Sequence, residues 1–382
     1  GPEAGVAGRS TKEKNSMRKA RWAVVLLCAG AVVSNLSAQA APEPDVLIFT
    51  NGEKLVGHLE SATSSSVVFK SDMAGEVTVA WSKIQELHSP QKFAAIPANV
   101  KLRHRGDMAQ VPQGPLAMTR QQIEIGRQTI PVGNISNVVD AASFERAFER
   151  SSFFHGWTGG ATAGMSLTEA TQKSQTFTAS LALVRAVPAV NWLDLRSRTI
   201  IEFTEAHGKL TQPGSPVAKT SLYHAATEQD WYLSPRLFAF GHAIFDHSYS
   251  QGLDLQQTYG GGLGFVVFKR PDQELDFKAS ADYIDQQFQL SSQNRHLFAS
   301  TFGETYLRTF AHGILLNEQA GIIPSWNDTS AYSAFASAAL TFPVYHRFGL
   351  TLGALDNFLN DPPPMFKKNS FQFTAGTTYS FK

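Results

Sequence analysis

The sequence predicts an all-β protein: a transmembrane antiparallel β-barrel of about twelve strands, preceded by a small SH3-like periplasmic β-domain. Three observations carry this. Near the end of the chain Phe371, Phe373, Ala375, Thr377, Tyr379 and Phe381 alternate with Gln372, Thr374, Gly376, Thr378 and Ser380. A period of two is what a strand with two unlike faces requires. Segments of this kind recur from Phe153 onward and run to roughly 12–16 residues, against about 5–6 in globular strands and about 9–11 needed to cross an apolar layer. Finally, charged residues make up only 17% of the chain while aromatics reach 11%, with 27 Phe. That balance suits strands with one lipid face and one polar face. The net charge of +1 gives no case for nucleic-acid binding.

Residues 1–40 read as leader and signal peptide. Met17-Arg18-Lys19-Ala20-Arg21 is basic, and Trp22 to Val33 is apolar but shorter than the ~20 residues of a spanning helix. Small residues at Ala38 and Ala40 fit cleavage after Ala40. The single cysteine, Cys28, falls in this segment, so the processed chain would hold no disulfide or thiolate metal site. Leu27 before Cys28 argues against a lipoprotein.

Residues 41–142 read as the periplasmic domain. Short β-runs at Val46–Phe49, Leu55–Leu59, Val67–Phe69 and Val77–Trp81 are separated by turn residues, Asn51-Gly52 among them. The pattern from Val77 to Leu87 recurs in outline from Thr129 to Val138, which suggests two degenerate repeats. Residues 143–152 read as a linker helix with Phe144, Ala147 and Phe148 on one face.

The barrel is expected over 153–382, with strands near 153–168, 173–187, 191–206, 218–233, 236–250, 254–269, 273–288, 296–311, 314–326, 329–343, 346–359 and 366–381. Every second connection is tight, as at Ser234-Pro235 and Arg270-Pro271-Asp272; the others, such as 207–217 and 360–366, are longer. Short turns on one rim and long loops on the other is the outer-membrane pattern, and an even count puts both barrel ends on the short-turn, periplasmic rim. The alternation turns Asp194, Arg196, Arg198, Glu202, Asp246, Asp276, Lys278, Asp282, Glu304 and Arg308 inward as a lumen charge network, with Trp192, Phe240, Phe302 and Tyr306 beside them.

The runs Tyr232-Leu233-Ser234-Pro235-Arg236-Leu237-Phe238-Ala239-Phe240, Asp246 to Gln257 and Gly260-Gly261-Gly262-Leu263-Gly264, with Asp361-Pro362-Pro363-Pro364 and the ending Tyr379-Ser380-Phe381, resemble the YdiY-like outer-membrane family, domain of unknown function 481. The resemblance covers the barrel. It implies an outer-membrane barrel, sometimes described as stress- or salt-induced, and supplies no catalytic residues.

Chemistry is sparse. In Asp246-His247-Ser248, strand geometry turns His247 away from both neighbours, so they cannot form a local triad. The 11 histidines show no metal-ligand spacing, and no metal or cofactor is expected. The glycine run lies inside a strand with no following helix, which rules out a phosphate loop. The expected function is therefore a non-enzymatic narrow channel or a structural envelope component. Its expected partners are outer-membrane lipids and lipopolysaccharide, the barrel assembly machinery and an envelope partner of the periplasmic domain. Two alternatives remain. One is an adaptor acting through that domain. The other is a barrel-wall lipid hydrolase, which would need a Ser and a His on the lipid face of adjacent strands at the outer leaflet.

Overall fold

A computed structural model describes residues 43–149, 152–169, 173–211, 217–366 and 368–381; the predicted signal segment lies outside them. The N-terminal module is one antiparallel sheet of β1 (Asp45–Phe49), β2 (Lys54–Thr63), β3 (Ser66–Ser71), β4 (Gly75–Ala80), β5 (Ile84–Pro97), β6 (Gln113–Thr119), β7 (Gln122–Ile125), β8 (Gln128–Pro131) and β9 (Ile135–Asp140). Its order is β4-β3-β2-β1-β5-β6-β7-β8, and β9 pairs with both β2 and β5, rolling the sheet over its own core. Alternation decides the inward set: Leu47, Phe69, Leu87, Met118, Ile123 and Val138 are buried together. Asn51-Gly52 makes the first turn, where Gly52 takes φ +88° and the Asn51 side chain accepts the Glu53 N–H at 3.1 Å. The buried Asp45 carboxylate accepts the Leu59 N–H at 2.6 Å and the Ser89 hydroxyl, so it enters the core satisfied.

The two halves share a local device. A 3₁₀ turn at Trp81–Lys83 links β4 to β5, and another at Val132–Asn134 links β8 to β9. The flanking residues have nearly the same backbone angles: Ala80 (−66°, 140°) and Pro131 (−59°, 137°) before the turns, Ile84 (−100°, 125°) and Ile135 (−104°, 132°) after them. The helix expected as a linker over 143–152 instead begins earlier. It is α1 (Ala141–Ala147), N-capped by Asp140, whose side chain accepts the Ser143 N–H at 2.8 Å. Phe144 and Phe148 are buried with Ala94, Ile96 and Val139, so α1 belongs to the module's packing.

The barrel comprises β10 (Trp157–Glu169), β11 (Lys173–Val187), β12 (Ser197–Thr211), β13 (Ala218–Tyr232), β14 (Leu237–Ser248), β15 (Leu253–Arg270), β16 (Gln273–Phe288), β17 (Arg295–Thr309), β18 (Leu315–Ile323), β19 (Ser333–Tyr345), β20 (Phe348–Leu359) and β21 (Asn369–Phe381). Each pairs antiparallel with the next, and β10 pairs with β21 to close the ring. That closing ladder runs Gly159–Gly164 against Gly376–Phe381, six residues, whereas β11 and β12 pair over the whole of Lys173–Val187. Outside, Leu237, Leu263, Phe265, Phe277, Phe302, Ile322, Leu350, Phe371 and Phe373 are all exposed. So continuous an apolar belt belongs in lipid, not water.

The third barrel strand starts at Ser197, not near 191. Trp192 and Leu193 in the β11–β12 connection are drawn onto the α1 core instead, Trp192 stacking on Phe144 with centroids 5.9 Å apart. Polar contacts add to this join: Arg103 Nη2 donates to the Leu233 carbonyl at 3.2 Å and Arg196 Nη1 to the Arg103 carbonyl at 3.1 Å. The module is thereby tied to the β11–β12 and β13–β14 connections, which lie on the short-turn rim.

Candidate functional site: the barrel lumen

Alternation along β12, β13, β14 and β16 turns one charged face inward. At the short-turn end Arg198 on β12 bonds Asp230 on β13 (Nε to Oδ2, 2.6 Å), Glu274 on β16 (Nη1, 3.3 Å) and Asp276 on β16 (Nη2, 3.0 Å). β12 and β16 are four strands apart, so the guanidinium spans a chord of the ring. Its planar fork suits several carboxylates at once. Phe238 and Tyr232 flank it, with centroids 5.4 and 5.9 Å from Cζ. Lys278 pairs with Glu228 across β16 and β13, and Lys269 with Glu274 at 2.8 Å.

Farther along the lumen His242 Nε2 lies 3.2 Å from Asp282 Oδ1, and Asp282 Oδ2 accepts from Ser280 at 3.0 Å and Thr301 at 2.5 Å. Next come His224–Asp246 at 2.7 Å and Gln256–Asp246 at 3.4 Å. At the long-loop rim Gln286 bonds Gln256 (2.6 Å), and Arg295 bonds Gln286 (2.7 Å) and Asp361 (2.8 Å). Gln319 on β18 donates to Glu202 on β12 at 3.4 Å. Those strands are six apart in a ring of twelve, so the contact crosses the full width. The opposite wall is built differently: Thr162, Thr378, Thr351 and Thr341 form a hydroxyl row over β10, β21, β20 and β19.

The glycine run in β15 makes room for this packing. A Cβ on Gly260 would fall 1.8 Å from Asp282 Oδ1, and one on Gly264 2.1 Å from Phe238 Cζ. On Gly262 it would fall 1.9 Å from the Ala279 carbonyl oxygen and 2.7 Å from Ser280 Cα. Those last atoms belong to a paired strand and cannot swing aside. Gly262→Ala is therefore expected to cost about 1–3 kcal/mol, read as a lower urea midpoint of the refolded barrel. Gly261→Ala, whose Cβ would meet its nearest neighbour at 3.1 Å, should cost clearly less. Equal losses in the two variants would sink the close-packing account.

Arg198, Glu202, Asp246, Asp276, Lys278 and Asp282 lie on the inner face. Four expected members do not. Asp194 and Arg196 sit in the β11–β12 connection, displaced from the strand by the docking of Trp192. Glu304 and Arg308 lie on the outer face with Phe302 and Tyr306. The register pairs Glu304 with the outward Phe277 and places Thr301 where it bonds the inward Asp282. Trp192 likewise points to α1, not the lumen. His242 joins the network on the face it shares with Asp246, and Glu228, Asp230 and Glu274 join it without having been anticipated. Their signal was present, since Glu228, Asp230 and Tyr232 recur at every second position of β13.

A closed antiparallel ring with an apolar outer belt and an ion-paired interior defines the outer-membrane class of β-barrel. Within that class, the family model described as "Protein of unknown function, DUF481" matches residues 161–381, more than half of the chain, and the chain belongs to that family. Among solved structures it is similar to the COG4313 outer membrane channel from Pseudomonas putida F1 (12% identity, 61% of this chain and 100% of that one, TM-score 0.36). It is also similar to the β domain of the Bordetella autotransporter BrkA (12%, 59% and 98%, TM-score 0.30). Pseudomonas putida OprB is a third (11%, 59% and 93%, TM-score 0.27). No curated protein matches the chain.

Proposed function

We propose that this protein sits in the outer membrane with its N-terminal module in the periplasm, and that it serves as a lumen-occluded envelope component rather than a diffusion pore. The supporting observation is the set of side-chain chords: Arg198 from β12 to β16 and Glu202 to Gln319 from β12 to β18. Ring size alone is neutral, since eight strands are filled by side chains and sixteen leave a channel. The module, joined to the rim through Phe144, Trp192 and Arg103, would orient toward envelope partners from there.

Refolded protein should first show barrel formation, migrating differently in SDS gels before and after boiling. The same preparation in planar bilayers should then give no stepwise current above background. Large ohmic steps from a heat-modifiable preparation would overturn the occluded reading.

A further inference from the structure

The outer face of β12, β13 and β14 carries a polar group near the long-loop rim. Ser221 Oγ lies 2.8 Å from His247 Nε2, and His247 Nδ1 lies 2.8 Å from the Asp254 backbone carbonyl. A carbonyl only accepts, so Nδ1 carries the proton and donates it. In the neutral imidazole Nε2 is then the bare nitrogen, and the Ser221 hydroxyl donates to it. This is the tautomer and bond direction of a serine poised beside a general base. The Tyr223 ring packs on His247 with centroids 5.5 Å apart, while Tyr223 Oη bonds His207 Nε2 at 2.8 Å.

The surroundings grade along the membrane normal. Lys209 and Lys219, both exposed, are register partners one step toward the long-loop rim. Directly opposed like charges repel unless an anion lies between them. His207 is the partner of Ser221, and Phe203 and Phe245, exposed and apolar, lie on the same face toward the membrane centre. Tyr223 and Trp231 on β13 are eight residues apart, about 26 Å along the strand. At a barrel tilt of about 40° they bracket most of a ~25 Å apolar band, which leaves Ser221 just outside the outer girdle. Cations, then a Ser–His pair, then apolar side chains is the order in which a membrane lipid presents phosphate, ester and acyl chain.

We propose that Ser221 and His247 form an acyl-ester hydrolase site on the outer-leaflet face of the barrel, with Lys209 and Lys219 receiving the phosphate of the substrate lipid. This goes beyond the occluded-barrel reading and does not depend on it. Ser221 Oγ bonds to the ester carbonyl carbon as its proton passes to His247 Nε2. Collapse of the tetrahedral adduct breaks the acyl C–O bond, and the leaving alkoxide takes the proton from His247. Water, deprotonated by His247, then splits the acyl–serine ester, releasing a fatty acid and restoring the Ser221 hydroxyl.

The test uses the refolded full chain in two vesicle types, one of phosphatidylethanolamine with phosphatidylglycerol and one with added lipopolysaccharide. Fatty-acid release is followed by mass spectrometry. Release is expected from at least one type, and which one distinguishes a glycerophospholipid from a lipid A ester. Ser221→Ala and His247→Phe, both confirmed as heat-modifiable, should each lower the rate at least ~100-fold. A fluorophosphonate probe should label the unaltered protein and not Ser221→Ala. Lys209→Ala with Lys219→Ala should raise KM for the phosphate-bearing lipid more than it raises KM for an uncharged soluble ester. Release unaffected by Ser221→Ala, or neither release nor labelling from folded protein, would overturn the proposal.

Discussion

Replacing Arg198 by Met is expected to destabilise the barrel by about 3–5 kcal/mol, because it removes the one cation shared by Asp230, Glu274 and Asp276. Asp230 and Asp276 are almost fully shielded from solvent, so they cannot recover their hydration in place. The measurement is urea unfolding of the refolded protein in detergent, following loss of the heat-modifiable gel form. The sign of a second variant separates charge from shape. Adding Asp230→Asn and Asp276→Asn to Arg198→Met removes the uncompensated charges and should recover most of the loss, because a buried ion cluster is often replaceable by neutral groups. A single Arg198→Met variant as stable as the unaltered chain would mean that the chord carries no structural weight. The single variant should also raise ion leakage through the lumen.

Phe144→Ala should cost the N-terminal module about 3–5 kcal/mol, the range for truncating a fully buried aromatic. Its ring fills the space between Phe148, 5.3 Å away, and Trp192 on the barrel rim. Two effects should therefore appear together: lower module stability and faster proteolysis of the segment 149–156 that joins module to barrel. The barrel should keep its heat-modifiable migration. Trp192→Ala removes only the barrel's half of the contact, so it should speed that proteolysis while leaving the module's own unfolding nearly unchanged. If Trp192→Ala leaves the cleavage rate untouched, the module is not anchored through this contact.

Much of the barrel was legible because period-two alternation is set locally by the chain itself. Phe371 to Phe381 announces its two faces without reference to any neighbour. What alternation cannot supply is phase where both faces offer polar residues. In β17, Glu304 and Arg308 alternate as cleanly as Gly303 and Thr305 do; the choice between them was made by Thr301 reaching Asp282 on the next strand. Trp192 misled for a related reason. It looked like the start of a strand, yet its partner, Phe144, lies in another part of the chain. The Ser221–His247 pair was hidden for the same reason: the two residues are 26 positions apart, and only the diagonal register of β13 and β14 brings them together. By contrast, the exclusion of Asp246-His247-Ser248 as a triad needed only the geometry of one strand, and the three side chains find separate partners.

The six-residue seam between β10 and β21 bears on how the protein is made. Its partners are the first and last strands of the barrel, so no part of the seam can form until every intervening strand has been delivered to the bilayer. Ring closure over so long a stretch carries an entropic cost that grows only with the logarithm of its length, and the ladder that offsets it is the shortest in the barrel among the described residues. Insertion is therefore expected to proceed as an open, curling sheet with eleven neighbouring junctions already zipped. The final clasp adds little beyond deciding which two edges meet.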